Sequence, residues 1–60
     1  MNQFFVSFPL DPYSYVNALV CAPDPAEAAV VAHDQIAALS PKLARALPDK
    51  PSLVKQVSPA

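Results

Sequence analysis

The sequence predicts an α+β domain, a small antiparallel sheet in the order β-β-α-β with a short last strand and one main helix packed on one face. Three observations carry that expectation. Phe4, Val6 and Phe8 alternate with Gln3, Phe5 and Ser7, the period-two pattern of a strand with one strongly apolar face. Asp24-Pro25-Ala26-Glu27 combines a capping carboxylate, a proline suited to a first helical position and an acid at the positive helix end. Eight prolines and no glycine then divide 60 residues into short elements and leave no Gly-lined loop between them.

Taken in order, the first strand ends at Pro9, and Pro9-Leu10-Asp11-Pro12-Tyr13-Ser14 is a turn segment. Residues 15–22 admit two readings. Val16, Ala18, Val20 and Ala22 alternate as a second strand would, which makes an antiparallel hairpin with Tyr15, Asn17, Leu19 and Cys21 on the back face beside Phe5. Asp11-Pro12 also has the chemistry of a helix start, and Tyr15, Val16, Leu19 and Val20 fit helical spacing. The strand is preferred, because Tyr, Val and Cys are indifferent helix formers and the first strand otherwise lacks a nearby partner.

A helix follows from Pro25 to about Leu39. At about 100° per residue, Ala28, Ala29, Ala32, Ile36 and Leu39 share one stripe, with Glu27 and Asp34 on the far side. Ser40-Pro41 repeats the cap-and-proline device and opens a short turn of helix through Leu47, whose Leu43 and Leu47 can fold back on the core. Pro48-Asp49-Lys50-Pro51 is a turn. Residues 52–58 form a modest strand with Leu53, Lys55 and Val57 on one side, the lysine suiting an edge position. The chain is one small domain over residues 1–60, its tail, 58–60, frayed.

Composition bounds function. With 53% hydrophobic and 15% charged residues the chain belongs among folded proteins. A domain of this size buries only about 60% of the surface its unfolded chain exposes, so it sits near the threshold of independent folding. Cys21 is the only cysteine, which excludes an internal disulfide, and a zinc site would have to be improvised from Cys21, His33 and carboxylates. Self-association or a partner is the remaining stabiliser, and a homodimer is one form it can take. Lys42, Arg45, Lys50 and Lys55 are too few and too dispersed for a phosphate-binding footprint, and five acids are too few to imitate DNA. The longest apolar runs, Ala18 to Ala22 and Ala28 to Ala32, fall far short of the roughly 18 residues of a membrane span. No basic residue precedes the N-terminal apolar stretch, so a secretory leader is not expected and the expected compartment is the cytoplasm.

Catalytic equipment is thin. His33 and Asp34 are adjacent on a helix and point about 100° apart, so they form no acid–base dyad with each other. His33 is expected to be solvent-exposed and Cys21 to be a small packing residue. Tyr13 and Tyr15 flank Ser14 without a base in reach. No enzyme, cofactor or metal is expected, and neither direct nucleic-acid binding nor membrane attachment. The function expected is protein binding, through Asp11, Tyr13 and Tyr15 around the hairpin turn and through Phe5 and Leu19 on the neighbouring face. Tyrosine offers large contact area with few rotors to freeze, and Pro9 and Pro12 stiffen the turn.

Strand, turn, strand and then a helix opened by Ala22-Pro23-Asp24-Pro25-Ala26-Glu27-Ala28 resembles the small strand-strand-helix proteins of bacteriophage genomes, anti-CRISPR inhibitors among them. The resemblance spans residues 3–39. It implies a stoichiometric binder in the host bacterial cytoplasm that occludes a larger machine, such as a CRISPR effector complex; the alternative is a small structural or assembly protein, such as a virion accessory subunit. The chain departs from that pattern in having no glycine in its hairpin and in lacking the dense acidity of inhibitors that imitate DNA.

Overall fold

Alternation in the first residues becomes the central strand of a three-stranded sheet. The computed structural model describes residues 1–59. Its elements are β1 (Asn2–Asp11), β2 (Ser14–Ala22), α1 (Pro25–Leu39), α2 (Pro41–Ala46) and β3 (Leu53–Pro59). The sheet order is β2-β1-β3, antiparallel throughout, with the main helix on one face. Residues 15–22 are therefore strand. Phe4, Val6 and Phe8 stand opposite Val20, Ala18 and Val16, so the two alternations agree along the whole hairpin and concentrate apolar side chains on one face.

Only Pro12 and Tyr13 separate β1 from β2, with Asp11 opposite Ser14. Two-residue hairpin links normally use residues with positive φ, supplied by Gly or Asn. Neither Pro12 nor Tyr13, nor any other described residue, has positive φ. Proline instead sets φ at Pro12, and Asp11 Oδ1 accepts the Tyr13 N–H at 2.8 Å. The register shifts between Pro9 and Asp11, leaving Leu10 as an extra residue on β1. A bulge at that point adds the local twist that a turn without positive φ does not provide.

Both helix starts are capped as the sequence predicts. Asp24 Oδ1 accepts the Glu27 N–H at 2.8 Å, with Pro25 leading the helix. Ser40 serves two helices: its N–H donates to the Ile36 carbonyl at 2.8 Å, ending α1, and its Oγ accepts the Leu43 N–H at 3.3 Å, starting α2. Along α1 the buried residues are Ala28, Ala32 and Ile36. They close over Phe4, Val6, Phe8, Val20 and Ala22, and Ala44 and Leu47 complete the core from α2 and the residue after it. Small residues on the helix against large ones on the sheet allow close approach and interdigitation.

Leu39 departs from the expected stripe. It is 88% exposed. As the last residue of α1 it lies where the chain turns at Ser40 into α2, and Ala44 and Leu47 occupy the core in its place. Ala29 is half-buried, and Leu43 packs against the core only partly.

Ser52 pins the return strand. Its N–H and its Oγ both donate to the Ser7 carbonyl, at 2.8 and 3.2 Å. Val54 and Gln56 then face Val6 and Phe4, while Leu53 and Lys55 lie opposite Ser7 and Phe5 on the other face. Gln3 pairs with Ser58 but Phe4 with Gln56, so Val57 is a bulged residue. β3 runs one residue further than the expected strand: Pro59 lies opposite Asn2, and Ser58, where strand and frayed tail were expected to meet, lies opposite Gln3. Ala60 lies outside the described residues.

Because Ala32 is 0% exposed beneath the helix, Ala32→Leu will overpack this contact and destabilise the fold by about 1–3 kcal/mol, whereas Asp34→Ala on the exposed side will do far less. Removing the α1 cap with Asp24→Ala will cost about 1 kcal/mol. Denaturant midpoints of the three variants measure this, and equal effects of the first two would contradict the helix orientation.

Candidate functional site

One sheet face is covered by the helices and the other is not. Strand alternation places Phe5 and Ser7 of β1, Tyr15, Asn17, Leu19 and Cys21 of β2, and Leu53 and Lys55 of β3 on the uncovered face. The register lines them up in rows. Phe5 sits between Leu19 and Lys55, Ser7 between Asn17 and Leu53, and Pro9 stands beside Tyr15. Three of the residues expected to bind a partner, Phe5, Tyr15 and Leu19, are thus brought onto one surface. Phe5 is half-buried by its neighbours, while Tyr15 is 57% and Leu19 58% exposed.

The surface holds a shallow, open depression. A hollow of about 490 Å³ opens among Phe5, Ser7, Tyr15, Asn17, Ser52 and Leu53. Its floor is tied down by the Ser52–Ser7 hydrogen bonds, and Ser7 is buried at its base. Lys55, exposed and next to Phe5, supplies the one positive charge of this row.

Asp11 and Tyr13 stand apart from that row, at the hairpin tip. Tyr13 is 94% exposed, so it takes no part in covering the core. Asp11 is exposed too, but one of its carboxylate oxygens holds the turn through the Tyr13 N–H. The tip joins the face through Tyr15, the first residue of β2 after Ser14.

A second hollow was not anticipated from the sequence. About 290 Å³ in volume, it lies at the β2 edge on the helix side, between Val16, Ala18 and Leu19 and the junction of α1 and α2 at Ile36, Leu39, Ser40 and Leu43. Leu39, 88% exposed, borders it. The one local signal was Leu39 and Leu43, four residues apart across a Ser-Pro break that prevents both from facing the same core. Asn17 lines both hollows, so β2 forms the ridge between them.

Two chemistry-bearing residues differ from expectation, His33 in being half-buried and Cys21 in being exposed rather than packed, although Cys21 lies on the back face as the strand reading placed it. His33 is half-buried, its ring packed edge-on against Phe8 with centroids 5.7 Å apart and planes at 74°. It takes part in the helix–sheet contact because the α1 face that carries Ala32 turns it toward the end of β1. Cys21 is exposed on the uncovered face opposite Gln3, since the pleat that buries Val20 and Ala22 turns it outward. Among the described residues no three of His, Cys, Asp and Glu lie close enough together to hold a metal ion. Among the described residues no helix is long and apolar enough to cross a membrane.

The fold and this surface define a small α+β domain whose three-stranded sheet is covered on one side only. No protein-family model, curated protein or solved structure matches the chain.

Tyr13→Ala will leave the unfolding midpoint unchanged within about 0.5 kcal/mol, as for a surface residue, while Phe8→Ala in the fully buried row will cost about 3–5 kcal/mol. Thermal and chemical denaturation monitored by circular dichroism distinguishes the two, and a matching loss for Tyr13→Ala would place that side chain in the core.

Proposed function

We propose that the protein is a non-enzymatic protein-binding module that docks a partner on its uncovered sheet face. Phe5, Tyr15 and Leu19 are the anchors, and Tyr13 and Asp11 extend the contact at the hairpin tip. The observation that carries this reading is a hollow lined by Phe5 and half-exposed Tyr15, with half-exposed Leu19 paired beside Phe5, on a face that no other element covers. Large apolar side chains grouped on a rigid sheet are what protein interfaces use as anchors, because desolvating them gains free energy and little rotamer freedom is lost.

The partner proposed is a bacterial defence complex of the CRISPR type, which a phage-encoded chain of this kind blocks by occlusion in the host cytoplasm. Support comes from the strand-strand-helix resemblance and from a net charge of −1, which suits covering a protein surface better than imitating DNA. A small assembly protein is the second reading, and the free edge of β2 favours it.

Affinity capture with tagged wild type, Tyr15→Ala and Phe5→Ser tests the proposal. Wild type will recover one defined complex from a CRISPR-bearing bacterial lysate, and each variant will lose at least tenfold in affinity, about 1.4 kcal/mol, while its unfolding midpoint stays near wild type. Recovery of capsid or tail proteins instead selects the assembly reading. Undiminished binding by both variants refutes docking on this face.

A further inference from the structure

The two edges of the sheet are built differently. β3 ends the sheet on one side with Lys55 in its middle, a bulge at Val57 and Pro59 at its end, devices that discourage another strand from adding. β2 ends it on the other side with nine residues, Ser-Tyr-Val-Asn-Ala-Leu-Val-Cys-Ala, that include no charge and no proline. Its own ladder with β1 is regular from Tyr15 to Ala22. The edge is long, regular and neutral, and it pairs with no other strand among the described residues.

Hydrogen bonding identifies which backbone groups it offers. The Ser7 carbonyl accepts from Ser52, on the β3 side of β1. Ser7 therefore points its backbone away from β2, and Asn17, which stands opposite it, points its own away from β1. Alternation extends this to Tyr15, Leu19 and Cys21. Each of these four residues turns an N–H and a C=O toward the free edge.

We infer that this edge pairs antiparallel with β2 of a second copy, joining two sheets into one of six strands. A copy of the same strand fits for a specific reason. With Ala18 opposite Ala18 on the two-fold axis, Tyr15 stands opposite Cys21 and Asn17 opposite Leu19, so every outward-turned residue meets an outward-turned partner and exchanges two hydrogen bonds with it. Shifting the register by two residues leaves one of the four without a mate, and shifting by one puts outward groups opposite inward ones. Neutral β2 meets its copy without like-charge repulsion, and alanine at the axis admits close approach on the helix side. The pairing adds buried surface to a chain of 60 residues that lacks a disulfide. It uses the edge of β2 rather than the uncovered face, so it stands whether or not that face binds a further partner.

Asn17→Pro tests it selectively. The N–H that proline removes faces the free edge and is not used by β1, so the monomer fold tolerates the change while the pairing loses a central hydrogen bond and gains a steric block. Sedimentation equilibrium from micromolar to millimolar protein will show a dimer for wild type and a monomer with an unchanged far-ultraviolet spectrum for Asn17→Pro. Should Asn17→Pro fail to fold, Asn17→Lys, which places a charge on the edge strand without touching the Phe5, Tyr15 and Leu19 anchors, takes its place with the same expected result, while Phe5→Ser stays dimeric. The register has its own test. Tyr15 and Cys21 are roughly 20 Å apart within one strand, too far for a disulfide, but adjacent across the axis. Tyr15→Cys with native Cys21 will therefore give a covalent dimer under oxidised glutathione, and at least tenfold less when Cys21→Ser is added. A wild type that stays monomeric at millimolar concentration overturns the inference. So does a dimer that survives in the folded edge variant, or one that Phe5→Ser dissociates and Asn17→Pro does not, because either would place the contact elsewhere.

Discussion

Phe4, Val6 and Phe8 lose essentially all contact with water, and that requires a cover able to come close to the middle of the sheet. Ala28 and Ala32 provide it, since a helix with methyl groups at its contact line can approach bulky residues on the sheet and fill the space between them. Everything else is arranged around this contact. β1 is central because its apolar face is the largest, β2 and β3 flank it with Val16, Ala18, Val20 and Val54, and α2 with Leu47 closes the end of the core. Burial of about 25 cal/mol per Å² of apolar surface is the dominant favourable term, and a chain this short has few other sources of it.

Doing this without glycine imposes solutions that are visible in the backbone. The hairpin uses a proline-set dihedral, an Asp11 side chain and a bulge at Leu10 where a glycine would otherwise allow a tight turn. Short polar side chains do the remaining work of satisfying backbone groups: Asp24 and Ser40 cap the helices, and Ser52 meets the Ser7 carbonyl where β3 begins. Each of these contacts is local except the last, which joins residues far apart in sequence and fixes where the third strand starts.

One helix layer and three strands cannot cover both sides of a sheet. The consequence is a single surface on which Phe5, Tyr15 and Leu19 gather, bordered by an edge strand with no charge to protect it. The two hollows meet along β2 at Asn17. A partner on the face and a copy at the edge would both contact this strand. Joining two copies would also set two uncovered faces side by side, extending the binding surface without adding residues to the chain.

Periodicity and capping by themselves determined most of the local structure. Period-two apolarity marked β1, residue propensity and the first strand's need of a partner chose strand over helix for residues 15–22, Asp24-Pro25 and Ser40-Pro41 marked both helix starts, and alternation put Phe5, Tyr15 and Leu19 on the side opposite Val6. Those signals are legible because each depends on residues within a turn or two of one another. Tertiary structure alone decided the rest. Alternation says which face a side chain takes but not which strand lies next to it, so the free edge at β2 and the bulge at Val57 follow only from the β2-β1-β3 order. Leu39 stays outside the core, whose nearby places Ala44 and Leu47 take, and His33 is half-buried through its edge contact with Phe8. The groove beside Leu39 is formed by a strand and two helices that meet only in the folded chain, and no short-range pattern encodes such a meeting.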